Sequence, residues 1–282
     1  MLTKHNMIFS KYKYFYVNGC SHSQGGGLEE PNLRPVSVRP IYEELYGVTW
    51  ENRSEVNYGK RLSEIIGIPC INESTSGAGV DRIVRMTYDF IYDKWEEKDK
   101  FFIILEVPDP SRSDVLYSPT KEYFIVNSGY DTKLDTFKFS YATREYYNSS
   151  YLKPDIEKQE LFKTWFDNHY DYVEKLKSDE RLFVGLYSFC KLNGIKVFVM
   201  NTTFMNECFD KKDVLDFENA GFKYDLHAWC EKNKMTIVDE TKGRINDGHP
   251  GYYGHIEYAK RIAKYMGWTG EYNIIEKKKN LI

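Results

Sequence analysis

Phe15-Tyr16-Val17-Asn18-Gly19-Cys20-Ser21-His22-Ser23-Gln24-Gly25 is the stretch whose reading decides the fold. An apolar run ends in Asn-Gly, a hydroxyl-bearing residue follows at once, and the chain then loosens into Gly25-Gly26-Gly27. This order predicts a first strand through Phe15 to Val17 and places Ser21 on the loop leaving it. That is the edge where open α/β sheets hold their ligands. A plainer reading makes Asn18-Gly19 a turn and Ser21 a helix cap, since those residue types favour such positions anywhere. The far segment Asn246-Asp247-Gly248-His249-Pro250 weighs for the first reading, because it offers a histidine to work with the serine.

Working outward, Val56, Leu62, Ile65 and Ile66 recur near helical spacing and Gly67 supplies a stop. Ile68 to Ile71 reads as a short second strand that delivers Asn72 through Gly79 to the same sheet edge. Val80, Ile83, Val84, Thr87, Ile91 and Trp95 follow one face of a helix. Phe101 to Leu105 is an uninterrupted apolar run, as in a parallel strand buried on both sides. Strand and helix alternate, which argues for a doubly wound sheet.

Further on, Leu182, Phe183, Leu186, Phe189 and Cys190 form a helical face closed by Asn193-Gly194, and Ile195 to Met200 is a fourth strand. A helix around Phe222, Leu226, Trp229 and Cys230 precedes a fifth strand at Met235 to Val238. Ile256, Ala259, Ile262, Ala263 and Met266 give a last helix stopped by Gly267. The expected fold is a three-layer α/β/α sandwich of about five parallel strands, one domain over residues 1–282. Residues 113–178 interrupt it. Tyrosine, asparagine, lysine and aspartate dominate there without a long periodic face, which reads as an insertion forming a lid, a substrate wall or a partner surface. Its Tyr123, Phe124, Tyr130, Tyr141, Tyr146, Tyr147 and Trp165 can stack on sugar rings or pack the insertion onto the main domain.

A net charge of −3 argues against a dedicated nucleic-acid binder, and Lys277-Lys278-Lys279 reads as a solvated tail. No run is long enough to span a membrane, and Met1 to Phe9 lacks the apolar core of a secretory signal, so synthesis in a cytoplasm is expected. Cys20, Cys70, Cys190, Cys208 and Cys230 are widely spaced and read as reduced thiols. The six histidines form no HExxH or clustered Cys/His pattern, so neither a metal nor another cofactor is expected. Gly25-Gly26-Gly27 is not followed by a phosphate-loop or dinucleotide pattern.

Three segments together resemble the SGNH (GDSL-like) hydrolase family. Gly19-Cys20-Ser21 stands for its Gly-Asp-Ser block, with Cys20 where aspartate is usual. Asn72 through Gly77, followed by Asp81-Arg82-Ile83, looks like its second block. Asp247-Gly248-His249-Pro250, with Gly254-His255 and Tyr258-Ala259, looks like its last. The pattern is closest to a divergent Gly-Cys-Ser branch familiar among bacteriophage proteins. The resemblance implies a flavodoxin-like sheet, ester hydrolysis on a small molecule or glycan, and no cofactor. A phage origin would add virion or homo-oligomer contacts.

The chemistry follows from the residue types. A serine hydroxyl becomes a nucleophile when an imidazole removes its proton, and a third group must orient that imidazole. Ser21 and His249 are the candidate pair. The family's Asp-x-x-His spacing selects Asn246 as the orienting group, whereas Asp247, two residues before His249, supplies a carboxylate; Asp247 or a backbone carbonyl is favoured. The N–H groups of Ser21 and Gly77 would form the oxyanion hole.

The family's third donor, an asparagine after strand three, is missing. The chain there has Glu106-Val107-Pro108-Asp109-Pro110-Ser111-Arg112. Arg112 can replace the donor, bind an acidic substrate group, or pair with Asp109 or Asp114. His22 is a candidate substrate contact. Cys20 ranks below Ser21 as nucleophile, and His255 is a rival base more in keeping with a structural role. Two functions remain: a serine esterase acting on acyl esters such as O-acetyl groups, or a non-catalytic structural or glycan-binding use of the same fold.

Overall fold

The computed structural model describes residues 9–25, 57–75, 77–108, 112–117, 122–131, 136–143, 164, 168, 170–200, 208–210, 212–215, 236–239, 245–250 and 252–270. In chain order the elements are β1 (Tyr14–Asn18), α1 (Ser21–Gln24), α2 (Tyr58–Ile66), β2 (Cys70–Asn72), α3 (Val80–Asp93), β3 (Phe101–Glu106), β4 (Arg112–Tyr117), β5 (Glu122–Asp131) and β6 (Thr136–Thr143). These are followed by α4 (Tyr172–Leu192), β7 (Lys196–Met200), β8 (Val214–Leu215), β9 (Thr236–Asp239), β10 (Ile245–Pro250) and α5 (Tyr252–Tyr265).

The central strand explains the layers. β3 is buried along its whole length, so its two alternating faces both need apolar cover. Phe102 and Ile104 pack with Phe15 and Val17 of β1 and with Phe198 and Met200 of β7, beneath α2 and α5. Phe101, Ile103 and Leu105 pack with Tyr16, Val197 and Val199, beneath α3 and α4. Helices therefore lie on both sides of one sheet. Each fully buried side chain of this kind contributes about 1.5–3 kcal/mol relative to exposure.

The sheet has five strands in the order β2-β1-β3-β7-β8, all parallel. Phe15 is in register with Cys70 on one side and Phe102 on the other. Asn57 starts α2 by accepting the N–H of Lys60 at 3.0 Å, and Gly67 ends it at φ 73°. α3 starts at Gly79, where a Cβ would sit 2.5 Å from the carbonyl oxygen of Arg112. Only glycine lets the start of α3 meet the start of β4 this closely, and Arg85 Nη2 to Asp114 Oδ2 at 2.5 Å joins the same two elements.

The fifth parallel strand differs from expectation. It is the short β8, with Val199 paired to Val214, whereas Thr236–Asp239, overlapping the run expected as the fifth strand, forms β9 and pairs antiparallel with β10 in a separate ribbon. A four-residue apolar run marks a strand without stating its partner. The stretch read as an insertion contains a three-stranded antiparallel sheet, β4-β5-β6, and α4 begins inside its expected limits, at Tyr172. The expected helix around Phe222 to Cys230, the stretch Pro31 to Pro40, Asp109, Tyr146, Tyr147 and Trp165 lie outside the described residues. No helix among the described residues is long and apolar enough to cross a membrane.

Candidate functional site

Because the sheet is parallel, β1, β2 and β3 all release their chains at one edge, with Asn18 level with Leu105. Asn18 anchors this edge. It is 1% exposed, and its Nδ2 donates to Tyr16 Oη at 3.0 Å and to Ile83 O and Thr87 Oγ1, each at 3.2 Å. Tyr16 Oη in turn donates to Glu73 Oε2 at 2.8 Å, so the ends of β1 and β2 share one polar network with α3.

The next residues wrap around Glu106, a carboxylate that is 2% exposed. Its Oε2 accepts the backbone N–H of Cys20 at 2.9 Å and that of Ser23 at 3.2 Å. Its Oε1 accepts the Cys20 thiol at 3.2 Å and lies 3.2 Å from His22 Nδ1. Cys20, the N-cap of α1, makes no side-chain cap bond, so Glu106 caps this helix from another strand. The fit requires Gly19, where a Cβ would meet Glu106 Oε2 at 2.5 Å and Glu106 Cβ at 2.6 Å.

Electrostatics follow from these contacts. Burial works against a charge on Glu106, but the bonds from His22, Ser23 and Cys20 outweigh it and hold the carboxyl down at about 2. Burial and the neighbouring Glu106 charge push the Cys20 thiol up to about 11, against a lowering pull from Arg112. Cys20 is therefore a protonated thiol at neutral pH, which is a poor nucleophile.

Ser21 is the first residue of α1 and is 4% exposed. The loop after β2 is latched to it, since Thr75 donates its N–H to Gly19 O at 3.1 Å and Asn72 Nδ2 donates to Ser23 O at 2.9 Å. Gly77 in that loop has φ 79°, a left-handed conformation that suits glycine. β10, which carries Asn246, Asp247 and His249, packs against α1. The backbone of that strand is described; the side chains of Asn246, Asp247 and His249 lie outside the described residues.

Behind the loop, Ser23 Oγ and Tyr58 Oη are 2.7 Å apart, and the Tyr58 N–H donates to His255 Nδ1 at 3.1 Å. His255 is fully buried on α5 and joins α5 to the start of α2. Arg112 opens β4 and acts electrostatically on Cys20, while Asp114 is paired to Arg85. The expected residues Ser21, Cys20, His22, Gly77 and Arg112 thus belong to one edge. Sequence reasoning missed Glu106; the available signal was an acid set between Leu105 and Val107 where an apolar strand ends. The ligand atoms of Cys20, His22 and Glu106 lie within 4.8 Å of one another, the one such group with metal-binding potential among the described residues.

No protein-family model matches the chain, and no curated protein matches it. Among solved structures it is similar to a protein described as lipolytic, of the G-D-S-L family, from Desulfitobacterium hafniense, at 10% identity over 90% of this chain and 99% of that chain with TM-score 0.40. A catalytic mutant of an acetylxylan esterase from Geobacillus stearothermophilus is 12% identical over 91% of this chain and 95% of that one, TM-score 0.35. An acetyl xylan esterase from Butyrivibrio proteoclasticus is 12% identical over 92% of this chain and 66% of that one, TM-score 0.39. Likeness at this level carries no activity across; the architecture rests on the strand order and register given above.

Proposed function

We propose that this chain is a serine hydrolase of the SGNH (GDSL-like) type that cleaves acyl esters, O-acetyl esters on carbohydrate among them. One observation carries the reading: α1, which begins at Ser21, lies against β10, which holds His249, although the two are far apart in sequence. Ser21 Oγ attacks the ester carbonyl as His249 takes its proton, and Asp247 orients the imidazole. The N–H groups of Ser21 and Gly77 receive the oxyanion. His249 then returns the proton to the leaving alcohol, and a water repeats the sequence to release the acid. His22 and Arg112 border the substrate.

A second reading, a structural or glycan-binding component with virion or self-association contacts, draws on Glu106. A buried carboxylate beside the proposed oxyanion hole opposes the negative charge that catalysis must develop. Hydrolysis of a p-nitrophenyl ester panel decides between them. The wild-type rate is expected to fall by about a thousandfold or more, to background, in both Ser21→Ala and His249→Ala chains that remain folded. Wild-type hydrolysis no faster than the two variants, with no covalent labelling of Ser21 by a serine-directed phosphonate, would leave the binding reading in its place.

A further inference from the structure

We propose that Cys20, His22 and Glu106 form a binding site for one divalent cation of the zinc class. The inference stands whether or not Ser21 is a nucleophile. Two hydrogen-bond-length separations meet at a single oxygen: Cys20 Sγ and His22 Nδ1 each lie 3.2 Å from Glu106 Oε1. In a tetrahedral zinc centre, bonds of about 2.0–2.3 Å to nitrogen, oxygen and sulfur put neighbouring ligand atoms about 3.3–3.6 Å apart. Both separations to Oε1 already stand within a few tenths of an ångström of that spacing, and the three ligand atoms lie within 4.8 Å of one another. A cation between them replaces the thiol proton now shared by Sγ and Oε1. As the metal–sulfur bond forms, that proton leaves to solvent.

The support for these ligands is also in place. Glu106 Oε2 is fixed by the N–H groups of Cys20 and Ser23, which leaves Oε1 directed at the other two residues. Gly19 lets the backbone close around the carboxylate. Cys20 and Glu106 are buried, whereas the His22 side chain is 19% exposed, so ion entry and a fourth, water-held position fall on the His22 side. A thiolate, an imidazole and one carboxylate suit zinc or cobalt over magnesium or calcium, which require oxygen ligands. Thiolate and carboxylate neutralise a dication, so Arg112 faces a centre with no net charge. The ion would cross-link the segment on both sides of Ser21 to the end of β3.

The chain is stripped with a chelator and titrated with Zn2+ under native mass spectrometry, and with Co2+ under absorption spectroscopy. One ion per chain and a thiolate-to-cobalt charge-transfer band are expected. Cys20→Ser should abolish the band, and His22→Ala should weaken zinc binding by at least about tenfold, with circular dichroism confirming the fold. Cys70, Cys190 and Cys208, none of them in a disulfide, remain in both variants, so they serve as the internal control. If Cys20→Ser does not fold, the more exposed His22→Ala decides alone. No zinc bound by the wild type, or variants that bind with wild-type affinity and spectrum, overturns the proposal.

Discussion

Glu106 and Asp213 are both buried carboxylates at 2% and 0% exposure, yet they are held in opposite ways. Asp213 is held by whole charges: Lys196 Nζ at 2.5 Å on Oδ1, and Lys191 Nζ at 2.6 Å with Tyr187 Oη at 2.8 Å on Oδ2. Those groups tie α4 and β7 to the residue before β8, so Asp213 acts as a rivet within the fold. Glu106 is held by two amides, a thiol and an imidazole. It keeps its negative charge at the sheet edge where β1 and β3 end. The difference teaches that burial alone does not mark function; what distinguishes the two is whether the neighbours cancel the charge or only orient it.

The sharpest way to break this comparison is Glu106→Gln. An amide NH2 then faces groups that were donating to a carboxylate, and stability should fall by about 3 kcal/mol in urea unfolding, with ester hydrolysis falling too as Ser21 is displaced. Acid probes the same group without mutation. Glu106 is depressed from 4.5 to about 2, so it contributes stability fully above about pH 4.5 that is lost as pH falls towards 2. In chelator-treated protein, the urea midpoint of the wild type should therefore drop more steeply between pH 5 and 3 than that of Glu106→Gln. Parallel slopes would mean that Glu106 is not held as an anion.

Asp213→Asn should have the smallest effect. Lys191 and Lys196 are 36% and 35% exposed and regain water, so a loss of about 1–2 kcal/mol is expected, with hydrolysis unchanged. Equal damage to hydrolysis from the two substitutions would erase the distinction drawn between them.

Much of this was legible in the sequence where both faces of an element are buried. Phe101 to Leu105 and Ile195 to Met200 read as strands because double burial leaves no polar alternation, and Val80 to Ile91 read as a helix because one side is solvated. Val214–Leu215 was illegible because two residues carry no period. The backbone positions of Ser21, opening α1 after β1, and of Gly77, at positive φ after β2, were legible because turn chemistry is local; their roles belong to the proposed function. Glu106 was not, because its partners Cys20 and Ser23 stand more than eighty residues away, and a charge at a strand end ordinarily marks solvent. The pairing of Asp114 with Arg85 was missed for the same reason.

The contact between Cys20 and Glu106 also constrains how such a chain can change over descent. An aspartate at position 20, the usual residue of the family it resembles, would place a second carboxylate about 3 Å from the first, where two like charges cannot both persist. Restoring Asp at 20 while Glu stays at 106 would force one of them to carry a proton or leave the loop. The two positions are physically coupled, because the side chain at 20 sets whether the carboxyl at 106 can stay ionised.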